Sequence, residues 1–510
     1  MRPQTERKPD TERWVLTATI LGSSVAFIDG TVVIVALPAI QARFKASGGQ
    51  VQWIVEAYSL FLAALILVGG SLGDRFGRRK VYALGVAVFA LASAWCGLAP
   101  NIGELIGARA LQGIGGALLV PGSLAIISAA FPKERRGQAI GTWSGWTAIT
   151  TALGPVLGGW LVQHVSWRAI FFLNLPLAVA VLVITLARVP ESRDENSLAG
   201  LDWPGALLAV LGLGGVVYGL IDASAAGPAN PRVLILLGTG IALLGGFVAV
   251  EARSRAPMMP LALFKSRTFL GANALTLLLY AALGGALYFL PFNLIQVQHY
   301  TPTAAGLSLL PFVLLMSGLS RWSGGLTARF GARRPLIIGP VIASAGFALL
   351  ARPGVGGSYW AEWFPAIFVL GLGMAVSVAP LTTAVMGSAE NHFAGAASGI
   401  NNAVSRVAGL LAIAALSLVL ASVFGRSLDT KLHSLPPAVR PVLSRQRTKL
   451  AAATVPATLP ADQRKAAQSA IAQSYVAGFR WVMAIAAVLA LFSAACAALF
   501  VDGDKNREAQ

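Results

Sequence analysis

The chain of 510 residues is 56% hydrophobic and only 12% charged, with a mean hydropathy of +0.71. A soluble domain carries about 25% charged residues, so this composition excludes an ordinary water-soluble protein and indicates lipid as the solvent. The net charge of +18 does not indicate nucleic-acid binding, because the basic residues recur in short clusters between apolar runs. The two cysteines, Cys96 and Cys496, lie far apart in apolar segments and support neither a disulfide framework nor a metal site.

Fourteen apolar segments are long enough to cross a membrane, because about 20 helical residues span the hydrocarbon core. The first is too long for a signal-peptide core, so we interpret it as a membrane helix. The sequence therefore predicts an all-α polytopic membrane protein. Its spans are expected near 14–38, 51–72, 81–99, 104–130, 138–163, 168–188, 203–222, 233–251, 269–297, 304–327, 335–352, 361–386, 395–424 and 476–501.

Basic residues predict the orientation of the chain. If the N-terminus is cytoplasmic, most lysines and arginines lie on the inner side, and the short outer loops hold chiefly Arg43, Lys45, Arg232 and Arg352. We therefore expect an inner (plasma) membrane protein with both termini in the cytoplasm. The polar stretch from Gly425 to Tyr475 then lies outside, where its basic residues break the rule locally.

An internal repeat predicts how the helices are grouped. GSLGDRFGRRK at 70–80 reappears as GGLTARFGARR at 324–334, an offset of 254 residues, and each copy follows the second helix of a six-helix half. The helices near 203–222 and 233–251 have no counterpart and are expected to be an inserted pair. The predicted organisation is a tail (1–13), a six-helix bundle (14–188), the inserted pair with linkers (189–268), a second bundle (269–502) including the outer loop 425–475, and a tail (503–510).

The first predicted helix carries a carboxylate at membrane depth. Asp29 lies 15 residues after Trp14 and 9 before Pro38, or roughly 22 and 13 Å at 1.5 Å per residue. Burial there is costly, and a carboxylate that can hold either a proton or a cationic ligand is suited to coupling. The alternative is a structural acid permanently paired with arginine or backbone.

The fourth predicted helix has a face with the spacing i, i+3, i+4 and i+7, formed by Arg109, Gln112, Gly113 and Gly116. Arg109 keeps its proton, so it could oppose protonation of a nearby carboxylate and discharge it when helices shift; a static ion pair is the alternative. Glu56 is a second embedded acid. It either moves a second proton or is a solvated acid of the outer vestibule.

Two later helices carry small or polar interruptions. In the fifth, a kink and close packing are expected, or only a generic kink, at Gly154, Pro155, Gly158 and Gly159. In the thirteenth, SGINNAVSRVAG places along one face Ser398, Asn401, Asn402, Ser405, Arg406 and Gly409. Such a polar stripe must face protein or water, so it either lines a substrate route or packs helices together.

Nothing in the sequence indicates a cofactor or a metal. The four histidines show no ligand spacing, and no phosphate-binding loop indicates ATP, so an ion gradient remains as the energy source. An enzyme is disfavoured, because no set of nucleophile, base and orienting group can be assembled.

The loop GSLGDRFGRRK resembles the signature between helices two and three of the major facilitator superfamily. The matching residues are Gly70, Asp74, Arg75, Gly77, Arg78 and Arg79. The resemblance implies that Asp74 and Arg78 latch the cytoplasmic gate; otherwise the basic residues only set topology. Ala328 replaces the acid of the second copy, which implies that the first copy contributes more to gating.

Further segments are similar to the fourteen-helix drug:proton antiporters of that superfamily: those around Asp29, Arg109 and Pro155, WRAIFFLNLP at 167–176, and the SGINN run. The resemblance implies proton-coupled export of drugs or other amphipathic small molecules, cations among them. The expected partners are substrate, protons and lipid, with no nucleic acid and a monomeric state. Export of an endogenous metabolite, nutrient symport, and a membrane receptor or assembly protein without transport are the alternatives.

Overall fold

The computed structural model describes residues 9–193, 202–254, 257–388, 394–433, 435–437, 439–456 and 458–502. The described ranges contain helices and no strand, which confirms the all-α prediction. The predicted tail 503–510 and the first eight residues of the predicted tail 1–13 lie outside them.

Fourteen long helices of the described ranges correspond one to one with the predicted spans. Thirteen are long and apolar enough to cross a membrane, and the remaining one, α5, has 32 residues. They are α1 (Pro9–Phe44), α2 (Gly48–Phe76), α3 (Arg78–Leu98), α4 (Ile102–Ala130), α5 (Lys133–His164), α6 (Ala169–Arg188), α7 (Trp203–Ala226), α8 (Pro231–Arg253), α9 (Arg267–Val297), α10 (Pro302–Ser308 with Leu310–Phe330), α11 (Arg333–Leu350), α12 (Tyr359–Gly387), α13 (Ala394–Leu432) and α14 (Ala461–Phe500).

The predicted extent of loop 425–475 is wrong, because both flanking helices continue into it. Helix α13 ends at Leu432, and α14 already begins at Ala461. Hydropathy marks only the part of a helix at lipid depth, whereas Ala, Gln, Lys and Arg in 461–475 favour helix in water as well. Between α13 and α14 lie a short helix, Arg440–Arg445, and a 3-10 helix, Arg447–Ala452.

The helices pack as two bundles of six with a pair between them. Within the first bundle α4 packs on α2 and α3, and α1 packs on α5 and α6; within the second, α9 packs on α13 and α14, and α12 packs on α10 and α11. Helices α7 and α8 pack on each other, and α7 also contacts α2 and α13. The inserted pair therefore lies beside a seam between the bundles.

Two helix pairs join the bundles: α5 packs on α10, and α2 packs on α13. The 254-residue repeat relates α2 to α10 and α5 to α13, so the two contacts are equivalent.

The two ends of the helix assembly are named here by the connections they hold. The terminal face is the end with the start of α1 and the α2–α3 turn. The opposite face is the end with the α1–α2 turn and the segment between α13 and α14.

Glycines at repeat-related positions allow helices to approach closely in both bundles. A Cβ on Gly85 of α3 would lie 2.8 Å from Leu119 N of α4, and a Cβ on Gly339 of α11 would lie 2.9 Å from Gly373 O of α12. Since real Cβ atoms do not approach backbone so closely, neither position can hold a side chain without displacing the neighbouring helix.

We expect Gly85→Leu to destabilise the protein by roughly 1–3 kcal/mol, because the added side chain overpacks the contact between α3 and α4. The matched control is Gly245→Leu in α8, an exposed position where a Cβ would meet no atom within 4 Å. Melting temperatures of the two variants in detergent measure the effect. Equal melting temperatures would contradict this packing.

Candidate functional site

A buried ion pair lies at the centre of the first bundle. Arg109 Nη1 of α4 donates to Asp29 Oδ2 of α1 at 2.5 Å, and the two side chains are 1% and 0% exposed. The same nitrogen donates to Gln112 Oε1 at 2.7 Å, and Arg109 Nε donates to the carbonyl of Ile54 in α2 at 3.0 Å. The structure thus brings together the acid and the base that the sequence singled out.

The second carboxylate oxygen of Asp29 is also bonded. Gln112 Nε2 donates to Asp29 Oδ1 at 2.9 Å, and Asn174 Nδ2 of α6 donates to it at 3.0 Å. Ser93 Oγ of α3 accepts from Asn174 at 2.9 Å and from Gln112 at 3.3 Å, and it donates to Phe171 O at 2.9 Å. Helices α4 and α6 therefore bond directly to the carboxylate of α1, and α2 and α3 join the same network through Ile54 and Ser93.

Sequence reasoning missed Asn174, Ser93 and Tyr58. Asn174 lies inside the quoted segment WRAIFFLNLP, where a polar side chain between apolar neighbours was the available signal. Tyr58 packs its ring against Arg109, with the guanidinium carbon 4.3 Å from the ring centroid. A cation held against an aromatic face gains further electrostatic stabilisation.

The ion pair can act as a switch or as a fixed structural element. Breaking a buried pair by removing one partner typically costs about 3–5 kcal/mol, because the other charge loses its compensation. Protonation of Asp29 neutralises the same charge, so a proton and Arg109 compete for one carboxylate. This competition lets the arrangement couple a proton to helix movement.

Glu56 lies apart from this pair. Its Oε1 accepts from Gln52 Nε2 of the same helix at 3.4 Å, and its Oε2 has no hydrogen-bond partner among the described residues. Glu56 is 0% exposed, so it is not solvated in this conformation. A buried carboxyl group without a cationic partner can hold a proton.

A cavity of about 790 Å³ opens on the opposite face, and Gln52 lies in its wall. Its wall combines both bundles with α7 and the segment between α13 and α14. Aromatic side chains contribute much of the wall: Trp53, Tyr218, Tyr288, Phe289, Phe292 and Tyr475. Glu56 is thus one helical turn from a space large enough for a drug-sized molecule.

The gate motif makes its contacts inside the first bundle. Arg78 Nε donates to Asp74 Oδ1 at 2.8 Å, and Arg78 Nη1 donates to Ala125 O of α4 at 3.4 Å. The backbone nitrogen of Arg79 donates to Glu191 Oε1 at 3.0 Å. The motif therefore ties the α2–α3 turn to α4 and to the segment that follows α6.

Gly77 is required at this turn for two reasons. Its φ is +108°, a conformation that side chains rarely adopt, and a Cβ there would lie 2.7 Å from the Glu191 carboxylate. The two remaining motif residues lie in the last turns of α2. A Cβ on Gly70 would lie 3.7 Å from Pro121 Cβ of α4, and the guanidinium of Arg75 lies 5.4 Å from the ring centroid of Phe76.

The Gly- and Pro-containing segment 154–159 of α5 contacts both α1 and the other bundle. A Cβ on Gly158 would lie 2.5 Å from Val32 Cγ2 of α1, and one on Gly159 would lie 2.3 Å from Pro302 O of α10. Gly154 likewise faces Thr31, and Pro155 presents its carbonyl to Gly306 of α10. The close packing lies toward the opposite face, so the two bundles are in contact there.

The polar stripe of α13 is divided between two environments. Asn401 Nδ2 donates to Thr276 Oγ1 at 2.7 Å and to Asn273 Oδ1 at 3.2 Å, so Asn401 packs α13 against α9. Arg406 Nε donates to Asn402 Oδ1 at 3.2 Å, and Ser405 Oγ donates to Asn402 O at 2.8 Å. Only part of the stripe is therefore available to a substrate route.

Residues 19–413 match the sequence profile of the Major Facilitator Superfamily, and the chain belongs to that superfamily of membrane transporters. It is similar to a solved bacterial homologue of the human lysosomal transporter Spinster, inward-facing and unoccupied, with a TM-score of 0.67, 15% identity and coverage of 97% of this chain and 98% of that one. At that identity, the likeness concerns the fold.

Curated relatives are closer in sequence. The chain is 34% identical to the tetracenomycin C resistance and export protein of Streptomyces glaucescens over 490 residues, 94% of this chain and 90% of that one. It is 36% identical to the multidrug resistance protein Stp of Mycobacterium tuberculosis, covering 84% and 79%, and 35% identical to a puromycin resistance protein of Streptomyces alboniger, covering 81% and 82%.

A double-mutant cycle tests the hydrogen bond between Asn174 and Asp29. We expect Asn174→Leu to destabilise the protein by about 1–3 kcal/mol, because a buried carboxylate oxygen loses a donor. The effects of Asn174→Leu and Asp29→Asn on the free energy of unfolding should be non-additive, since the residues share a network. Asn401→Leu, in the other bundle, is the control and should combine additively with Asp29→Asn. Additivity in both pairs would refute the contact.

Proposed function

We propose that this protein is a proton-coupled antiporter that exports drugs or other amphipathic small molecules across the plasma membrane, with both termini in the cytoplasm. The single observation that carries the proposal is the buried, fully hydrogen-bonded Asp29–Arg109 pair at membrane depth. The names of the relatives, which are resistance and export proteins, support export. The basic residues at the α2–α3 turn support a cytoplasmic terminal face.

In this mechanism the two bundles rock about a site between them. Asp29 accepts a proton when movement of α1 against α4 and α6 loosens its bonds to Arg109, Gln112 and Asn174. Reformation of the ion pair expels the proton, because Arg109 stays charged. Substrate and proton therefore occupy the site in alternation, and the ion pair marks the state without a bound proton.

The motif glycines provide contacts that can open and close. The close approach of Gly159 to Pro302, and of Gly306 to Pro155, supports contact of the two bundles through α5 and α10 toward the opposite face in this conformation. On the terminal face, Arg78 bonds to Asp74 and to α4, both within the first bundle. The motif therefore stays intact while the bundles separate there. In the alternate conformation we propose that the same turn latches against the second bundle.

Ion gradients supply the free energy. One pH unit is worth about 1.4 kcal/mol per proton, and 100 mV is worth about 2.3 kcal/mol per charge. Exchange of one proton for one monovalent cation is electroneutral, so only the pH difference drives it. Glu56 would add a second proton and with it a response to voltage.

We expect Asp29→Asn to abolish uphill export, because an amide cannot exchange a proton. Puromycin export is measured in cells that lack their own exporters. Proton movement induced by puromycin in inverted vesicles gives the direction of coupling. Asp462→Asn, an exposed acid at the start of α14, is the control and should leave both unchanged. Undiminished pumping by Asp29→Asn would overturn the proposal.

A second measurement tests Glu56. With an imposed voltage and no pH difference, we expect uptake of ethidium, a monovalent cation, into inverted vesicles to respond to voltage in the wild type and to lose that response in Glu56→Gln. The reason is that a two-proton exchange moves one net charge. An ethidium rate unaffected by voltage in the wild type would exclude the second proton for this cargo.

A further inference from the structure

Arg406 is a charged group at membrane depth in the second bundle. It lies 12 residues after the start of α13 at Ala394, roughly 18 Å along the helix axis. It is half-buried, and Nε donates to Asn402 Oδ1 at 3.2 Å. Within the described part of the chain, Arg406 forms no ion pair, and no other hydrogen bond of its guanidinium is observed.

The position of Arg406 directs it toward the seam between the bundles. It shares a helix face with Ala403, which packs against the apolar cluster that includes Tyr58 and Leu62 of α2, and with Leu410, which belongs to the cluster that includes Leu60. Helix α13 also contacts α2 directly. The face of α13 that carries Arg406 is therefore directed toward the first bundle.

The nearest embedded acids are already engaged. Asp29 is bonded to Arg109, Gln112 and Asn174, and Glu56 accepts from Gln52. Asp29 and Arg109 cancel each other, so Arg406 leaves this region with one uncompensated positive charge. An arginine in a membrane protein is normally paired, and an unpaired one marks a functional site whose partner arrives from outside the chain.

We propose that Arg406 binds an anionic oxygen group of the exported molecule, such as a carboxylate or a phenolate. A guanidinium offers a planar fork of donors that matches such groups, and the one hydrogen bond observed for Arg406 among the described residues uses Nε. Ala403 and Leu410 on the same helix face supply apolar surface near it. The preferred cargo is then an amphipathic acid and not a cation; this assignment rests on the proposed function for its link to export.

The charge of the cargo also changes the energetics of exchange. Export of a monovalent anion against one imported proton moves two positive charges inward, in contrast to the electroneutral exchange of a monovalent cation. Voltage would then assist export without a second proton. Arg406 in this scheme selects the cargo, and Asp29 carries the coupling.

Two dyes with the same xanthene framework and opposite charge test the proposal. Fluorescein is anionic at neutral pH and rhodamine 6G is cationic; fluorescence polarisation gives the affinity of purified protein in detergent for each. We expect Arg406→Gln to weaken fluorescein binding about tenfold to a hundredfold, the value of a charge-assisted hydrogen bond, and to leave rhodamine 6G binding unchanged. Arg406→Lys should keep part of the fluorescein affinity because it keeps the charge.

The control is Arg253→Gln, which removes a positive charge from the exposed end of α8 on the terminal face. It should leave fluorescein binding unchanged. Equal loss for both dyes in Arg406→Gln, an equal effect of Arg253→Gln, or no fluorescein binding by the wild type would overturn the proposal. If Arg406→Gln does not fold, Arg406→Lys serves as the test. The proposal is overturned if that variant keeps both its fluorescein affinity and its ratio of fluorescein to rhodamine 6G affinity unchanged.

These binding measurements use no gradient, so they separate the inference from the proposed function. A wild type that binds fluorescein through Arg406 but shows no proton-linked export would defeat the antiport proposal and leave the anion site standing. Proton-linked export of cations alone would leave the antiport proposal standing and defeat the anion site.

Discussion

The desolvation of one carboxylate constrains the whole first bundle. Asp29 has no contact with water, so both of its oxygens need donors, and those donors come from α4 and α6. Arg109 in turn needs acceptors, which α2 and α4 supply through Ile54 and Gln112. Any movement that separates α1 from α4 therefore leaves a buried charge uncompensated unless a proton replaces the cation. This constraint links protonation to conformation.

The frame around the pair is symmetric, whereas the charges are not. Glycines at repeat-related positions, such as Gly85 and Gly339, allow the same close helix contacts in both bundles. Asp29 and Arg109 have as their repeat counterparts Leu283 and Trp363, so the second bundle lacks the pair. The second bundle instead has Arg406, without an acid among the described residues. A symmetric scaffold thus carries different charged groups in its two halves.

The segments that exceed a twelve-helix core gather at one seam. Helix α7 packs on α2 and α13, and the segment 440–452 helps to form the wall of the cavity on the opposite face. The carbonyl of Lys449 accepts from Gln41 Nε2 of α1 at 3.3 Å. Gln41 Oε1 accepts from Gln296 Nε2 of α9 at 2.9 Å. This chain of contacts joins the two bundles on the side where the motif glycines of α5 also meet α10.

The sequence by itself determined the number of spans, the repeat and the depth of Asp29, because hydropathy, residue spacing and a fixed helical rise are local properties. It could not determine where α13 and α14 end outside the lipid, since helix in water leaves no hydropathy signal. Only the tertiary structure decided that Asn174 and Ser93 join Asp29, that Asn401 packs helices, and that Arg406 lacks an acid in the described part of the chain. Those outcomes depend on which faces of distant helices meet, and a one-residue rotation of a helix, about 100°, would change them.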